Sequence, residues 1–171
     1  MTSSRSSSHL PSKRPKTAVA GPYGHPFHPM MVTLPIGCWV ASLVFDIVSK
    51  TSDSNASAFA RGSAWLIGIG IVGALLAAVL GLMDFMTVPT GTKARRVGLT
   101  HMLLNSVVLV LFVVDLLVRR SDGFHRVHTF PLVLTIVALV LLGVSGWLGG
   151  ELSYRYGVRV ADEIDQAESF R

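Results

Sequence analysis

A chain of 171 residues that is 50% hydrophobic and only 15% charged has room for one compact unit and little polar surface to keep it in water. Its formal charge of +5 does not point to nucleic acid, because the basic residues sit at the ends of apolar runs rather than on one soluble face. One cysteine, Cys38, excludes an internal disulfide and any CxxC or zinc-knuckle site.

Residues 1–20, rich in Ser, Lys and Pro, read as a disordered tail. The first apolar run follows, over residues 28–49. It is too long, starts too late and has no small-residue cleavage site after it, so it is expected to remain as an uncleaved span rather than a signal peptide. Thr51 to Ser57 is a short polar loop, and the second run covers residues 63–86. A tight turn opened by Pro89, Thr90 and Gly91 leads to the third run, residues 97–118. Ser121 to His128 closes onto the fourth, residues 129–149, and residues 157–171 form an acidic tail. A hydrocarbon core of roughly 30 Å takes about 20 apolar residues as a helix, and each run meets that need. Backbone groups in lipid must be satisfied internally, and the runs lack the period-two alternation of a barrel. The expected fold is therefore all-α: an integral membrane four-helix bundle, up-down-up-down, over residues 21–156.

Basic residues orient the bundle. Arg5, Lys13, Arg14, Lys16, Lys93, Arg95, Arg96, Arg155, Arg159 and Arg171 fall on the side of the two tails, against Lys50, Arg61, Arg119, Arg120 and Arg126 on the other. The excess predicts both termini in the cytoplasm of a bacterial cell, with the bundle in its plasma membrane.

The helical period sorts the polar residues within the spans. His28, Val32, Pro35, Trp39, Ser42 and Asp46 share one face of the first span, and His101, Asn105, Val108, Phe112 and Asp115 one face of the third. Lipid does not accept Asp or Asn, so these faces should look inward. Ser63, Gly70, Gly73, Ala77, Gly81 and Asp84 line one face of the second span, and Gly143, Gly146 and Gly150 one face of the fourth. Small residues at this spacing predict close helix crossings, at Gly73, Gly81, Gly146 and Gly150 in particular.

By depth, His25, His28, Asp84, His101, Glu151, Tyr154 and Arg155 gather near the cytoplasmic ends of the spans, and Asp46, Asp115 and Arg119 near the outer ends. The apolar middle argues against an ion pathway or a broken-helix transporter. The outer group reads as an ion-pair clamp. The inner group is the candidate site.

Several stretches together resemble a known family. They are His25-Pro26-Phe27-His28-Pro29-Met30, Pro35-Ile36-Gly37, Gly81-Leu82-Met83-Asp84, Gly91-Thr92-Lys93-Ala94-Arg95-Arg96 and Ser145-Gly146-Trp147-Leu148-Gly149-Gly150-Glu151-Leu152-Ser153-Tyr154. Over about residues 21 to 160 the chain is similar to a bacterial four-span membrane domain of unknown function. Some chains of that family are joined to a Rieske-type iron–sulfur domain. The resemblance implies a link to electron transfer, and the partner would be a separate chain because the Rieske cysteines are missing here.

Three functional readings follow. The first is a structural or accessory membrane module, with His25 and His28 capping the first helix and Asp84, Glu151 and Arg155 paired at the interface. The second is a redox component, with haem b or a quinone near the cytoplasmic face, held by His28 and His101 with His25 and Tyr154 nearby. Those two histidines open spans running the same way, and two facing imidazoles are what a six-coordinate haem iron needs. The third is a metal site drawn from His25, His28, His101, Asp84 and Glu151. No phosphate-binding glycine loop, HExxH or nucleophile elbow is present, so the sequence does not read as an enzyme.

Overall fold

A computed structural model of the protein describes residues 12, 13, 17, 19–21, 25–160 and 169. The described residues are helical, without a strand. A short α1 (Phe27–Met31) runs through Val32 into α2 (Thr33–Thr51). Then come α3 (Ala56–Phe85), α4 (Lys93–Ser121) and α5 (Thr129–Gly150), which ends in a π-helical turn, Glu151–Arg155. Four helical segments, with α1 and α2 counted as one, are long and apolar enough to cross a membrane. They alternate in direction. The end that carries both tails is called the tail end below, and the opposite one the far end.

The surface confirms the solvent. Val40, Val44 and Ile47 on α2 are half exposed, and Trp65 and Trp147 are about three-quarters exposed. In water such a surface would be an aggregation patch; in lipid it is the favourable exterior. The interior is apolar at mid-depth, with buried polar groups towards both ends. Its mid-depth core is Trp39, Ile67, Val108, Phe112 and Ala138. Trp39 stacks on Phe112 with ring centroids 4.2 Å apart, and its indole N–H donates to the Ile67 carbonyl at 3.4 Å. Gly70 makes this possible, since a Cβ there would stand 2.3 Å from Trp39 Nε1.

The inward faces of α2, α3 and α4 are those the periodicity marked: Pro35, Trp39, Ser42 and Asp46; Ser63, Gly70, Gly73, Ala77 and Asp84; Val108, Phe112 and Asp115. Gly73 and Gly81 do face close neighbours, Leu34 and His28 respectively. The fourth span differs from expectation. A Cβ at Gly143 or Gly146 would meet nothing within 4 Å, and one at Gly150 meets only Tyr154 of its own strand of chain. The buried face of α5 is Pro131, Thr135, Ala138 and Ser145. Ser145 precedes Gly146 by one residue, which is about 100° of helix rotation, so the glycine stripe turns towards lipid.

Loops close each end. Thr92 caps α4 by accepting from Arg95 N. Arg95 donates to the Val88 carbonyl at 2.7 Å and lies over the Phe85 ring. At the far end Arg126 donates to the carbonyls of Lys50 and Ser52, both at 2.9 Å.

Candidate functional site

Two polar clusters interrupt the apolar interior, one at each end. At the far end Arg119 lies between two fully buried carboxylates. Its Nη1 and Nη2 donate to the two oxygens of Asp46 at 2.7 Å each, and its Nε and Nη2 to those of Asp115 at 3.0 and 3.1 Å. Ser63 Oγ donates to Asp46, and Thr135 Oγ1 lies 3.2 Å from Asp46 Oδ2 and 3.0 Å from Asp115 Oδ2. All four spans thus meet on one guanidinium, whose planar fork suits two bidentate partners. This is the clamp read from the sequence, with Ser63 and Thr135 added. Neither hydroxyl was singled out as part of it; their helical phase with Asp46 and Asp115 was the available signal.

At the tail end His28 and His101 face each other. Their ring centroids are 6.4 Å apart and the planes are perpendicular, at 89°. His28 Nδ1 is 2.8 Å from the Ala77 carbonyl on α3, and His101 Nδ1 is 2.8 Å from the Ser145 carbonyl on α5. A carbonyl oxygen only accepts, so each Nδ1 carries the proton and each Nε2 keeps its lone pair. His101 Nε2 accepts from Asn105 Nδ2 at 3.1 Å, and Asn105 Nδ2 also reaches Ser145 Oγ at 2.7 Å. Among the described residues His28 Nε2 has no hydrogen-bond partner. Glycines seat both rings: a Cβ on Gly81 would be 2.9 Å from His28 Cε1, and one on Gly149 3.2 Å from His101 Cε1.

The other residues expected here lie elsewhere. His25 is exposed and Tyr154 is 93% exposed, so neither joins the imidazoles. Neither His25 nor His28 caps the first helix; Pro26 holds that position, without a side-chain bond. Glu151 pairs with Arg155 at 3.2 Å, one turn along its own helix. Asp84 pairs with Arg159, Nε to Oδ1 at 2.9 Å, rather than with Lys93, Arg95 or Arg96. Among the described residues no three His, Cys, Asp or Glu side chains gather as a metal site would require. The Glu151–Arg155 pair is the one expected; the rest departs from the sequence reading because spacing places residues at one depth without fixing their rotation about each axis. By sequence Arg159 counts only among the basic residues of the C-terminal tail and not as a partner of Asp84, since it lies beyond the last span.

Two imidazoles coordinated through Nε2 at about 2.0 Å, with a ring radius of roughly 1.1 Å, would have centroids about 6 Å apart. The observed 6.4 Å fits that arrangement. So does the Nδ1–H to carbonyl bond on each ring, the usual device that orients a metal-binding imidazole. The separation is thus of the size that two imidazoles on one iron take, while His101 Nε2 is already engaged by Asn105.

The model of a family described as predicted membrane protein (DUF2231) matches residues 24–162. No curated protein and no solved structure matches the chain.

Proposed function

The chain belongs to the DUF2231 family of predicted membrane proteins, and from that premise we propose that it is a membrane redox module whose His28 and His101 hold haem b at the tail end. The observation that carries this reading is the facing imidazole pair at 6.4 Å, each ring fixed by a helix carbonyl. Haem held there would supply a one-electron couple. The chain's part is to hold two imidazoles in one tautomer, at one separation. Asn105 Nδ2 hydrogen-bonds His101 Nε2, so a metal held at that atom would have to displace it. The tail end would face the cytoplasm of a bacterial plasma membrane: ten of the fifteen basic residues belong by sequence to the two tails and the start of α4. The electron partner is a separate iron–sulfur protein, the class to which the sequence resemblance points.

The far-end cluster favours a second reading, an accessory module whose buried polar groups only fasten helices: every charge there is partnered within the cluster. An absorption spectrum separates the two. Protein purified in detergent and supplied with haemin should give a low-spin, bis-imidazole Soret spectrum. His28→Ala and His101→Ala should each abolish it, while His25→Ala and Tyr154→Ala leave it unchanged. A wild-type protein without a Soret band, or one losing it with neither histidine, overturns the redox reading.

A further inference from the structure

A cavity of about 270 Å³ lies at the tail end, and none of its wall residues belongs to the imidazole pair. Its size approaches the roughly 300 Å³ at which small-molecule sites begin. Three segments wall it: Val88 and Pro89 from the α3–α4 turn, Thr92 and Lys93 where α4 begins, and Tyr156 and Val158 after the π-helical turn. Ser12 adds a wall from the N-terminal segment. Backbone bonds fasten these walls. Val158 N–H donates to the Leu152 carbonyl at 2.9 Å, and Arg159 N–H to the Ser12 carbonyl at 2.9 Å. Arg95 Nη1 donates to the Val88 carbonyl, so that guanidinium supports the wall.

The charge around the cavity has one sign. Lys93 lies in its wall, and the ammonium has no partner among the described residues. Lys13 stands beside Gly157, between the wall residues Tyr156 and Val158: a Cβ on Gly157 would be 3.3 Å from Lys13 Nζ. Among the described residues no Asp or Glu lines the space. The two tail-end carboxylates, Asp84 and Glu151, are taken by Arg159 and Arg155. Depth narrows the class of anion. The walls fall just past the ends of the spans Ala56–Phe85 and Thr129–Arg155, and at the start of Lys93–Ser121. That is the level of lipid phosphates, where basic pockets between spans take anionic head groups. Val88, Pro89 and Val158 give the cavity an apolar side, which suits a phosphate carried on a glycerol ester.

We propose that this cavity binds a phosphate group, the head of an anionic phospholipid in the tail-side leaflet, with Lys93 and Lys13 as its counter-ions. The site does not depend on the haem reading.

The test adds phosphatidylglycerol or phosphatidylcholine to delipidated full-length protein in detergent, and counts the lipid retained by native mass spectrometry. Both lipids carry a phosphate, but the choline cation would stand against two lysines. A charge-assisted contact corresponds to at least about a 10-fold preference of the wild type for phosphatidylglycerol. Lys93→Gln should cut that preference several-fold, and adding Lys13→Gln should bring it close to one. Lys93 is exposed, so Lys93→Gln should melt with the wild type. Arg96→Gln removes an exposed charge from the same helical turn but not from the cavity, and should leave the preference unchanged. An equal fall with Arg96→Gln overturns the proposal, because it marks a general basic surface. A wild-type preference near one, with no binding of inorganic phosphate to the lipid-free protein, overturns it as well. Binding of inorganic phosphate that Lys93→Gln abolishes, without a lipid preference, keeps the phosphate site and makes the free ion its ligand.

Discussion

Replacing Arg119 with Leu removes the one cation from a site that holds two buried carboxylates. Thr135 Oγ1 lies 3.2 Å from Asp46 Oδ2 and 3.0 Å from Asp115 Oδ2, so those oxygens are at most 6.2 Å apart. At an effective dielectric of about 20, two unit charges at roughly 6 Å repel by about 3 kcal/mol. Loss of four charge-assisted bonds adds to this, and removing one partner of a buried ion pair typically costs 3–5 kcal/mol. We expect Arg119→Leu to destabilise the bundle by about 3–5 kcal/mol, or to prevent its isolation. The triple change Asp46→Leu, Asp115→Leu and Arg119→Leu removes charge and desolvation together, and should recover most of that loss. Stability is read from reversible unfolding in mixed detergent and SDS micelles, followed by circular dichroism. An Arg119→Leu protein within about 1 kcal/mol of wild type would refute the reasoning, since surface-like ion pairs are worth no more than that. A triple variant no better than the single one would refute the cancellation.

Other predictions follow from the same contacts. Gly81→Val should push the His28 ring off the Ala77 carbonyl, costing about 1–3 kcal/mol by overpacking and losing the haem spectrum, whereas Gly146→Ala should change stability by less than about 0.5 kcal/mol; micelle unfolding and absorption read both. Glu151→Gln breaks a pair whose arginine is 70% exposed, and should shift stability by less than about 0.5 kcal/mol in the same assay. In a Cys38→Ser background, Asp53→Cys should react with an impermeant maleimide on intact cells, and Lys93→Cys only after permeabilisation; the reverse pattern would invert the orientation.

The fold was legible because four apolar runs of membrane length leave few alternatives. The inward faces of three spans were legible too, since Asp46, Asp84, Asn105 and Asp115 cannot face lipid and so fix the phase of each helix. The fourth span lacks such a residue. Its phase was read from Gly143, Gly146 and Gly150, and the weaker signals, Thr135 and Ser145, were the true inward markers. The same gap hid the tail end. His28 and His101 could be placed at one depth, but their carbonyl partners, Ala77 and Ser145, are backbone atoms that no side-chain pattern announces. Arg159 reaches its place only through a left-handed backbone turn after Gly157, which hydropathy does not register.

The guanidinium knot at the far end also sets how the bundle can move. Four spans are pinned at one point, and Asp46 on that knot is 18 residues from His28, or about 27 Å of helix. The knot acts as a fulcrum and the helices as levers. A splay of only about 5° between spans would open the His28 level by roughly 2 Å over that length, while hardly disturbing the packing near Arg119. Breathing of the bundle is thus directed to the end where the imidazoles lie.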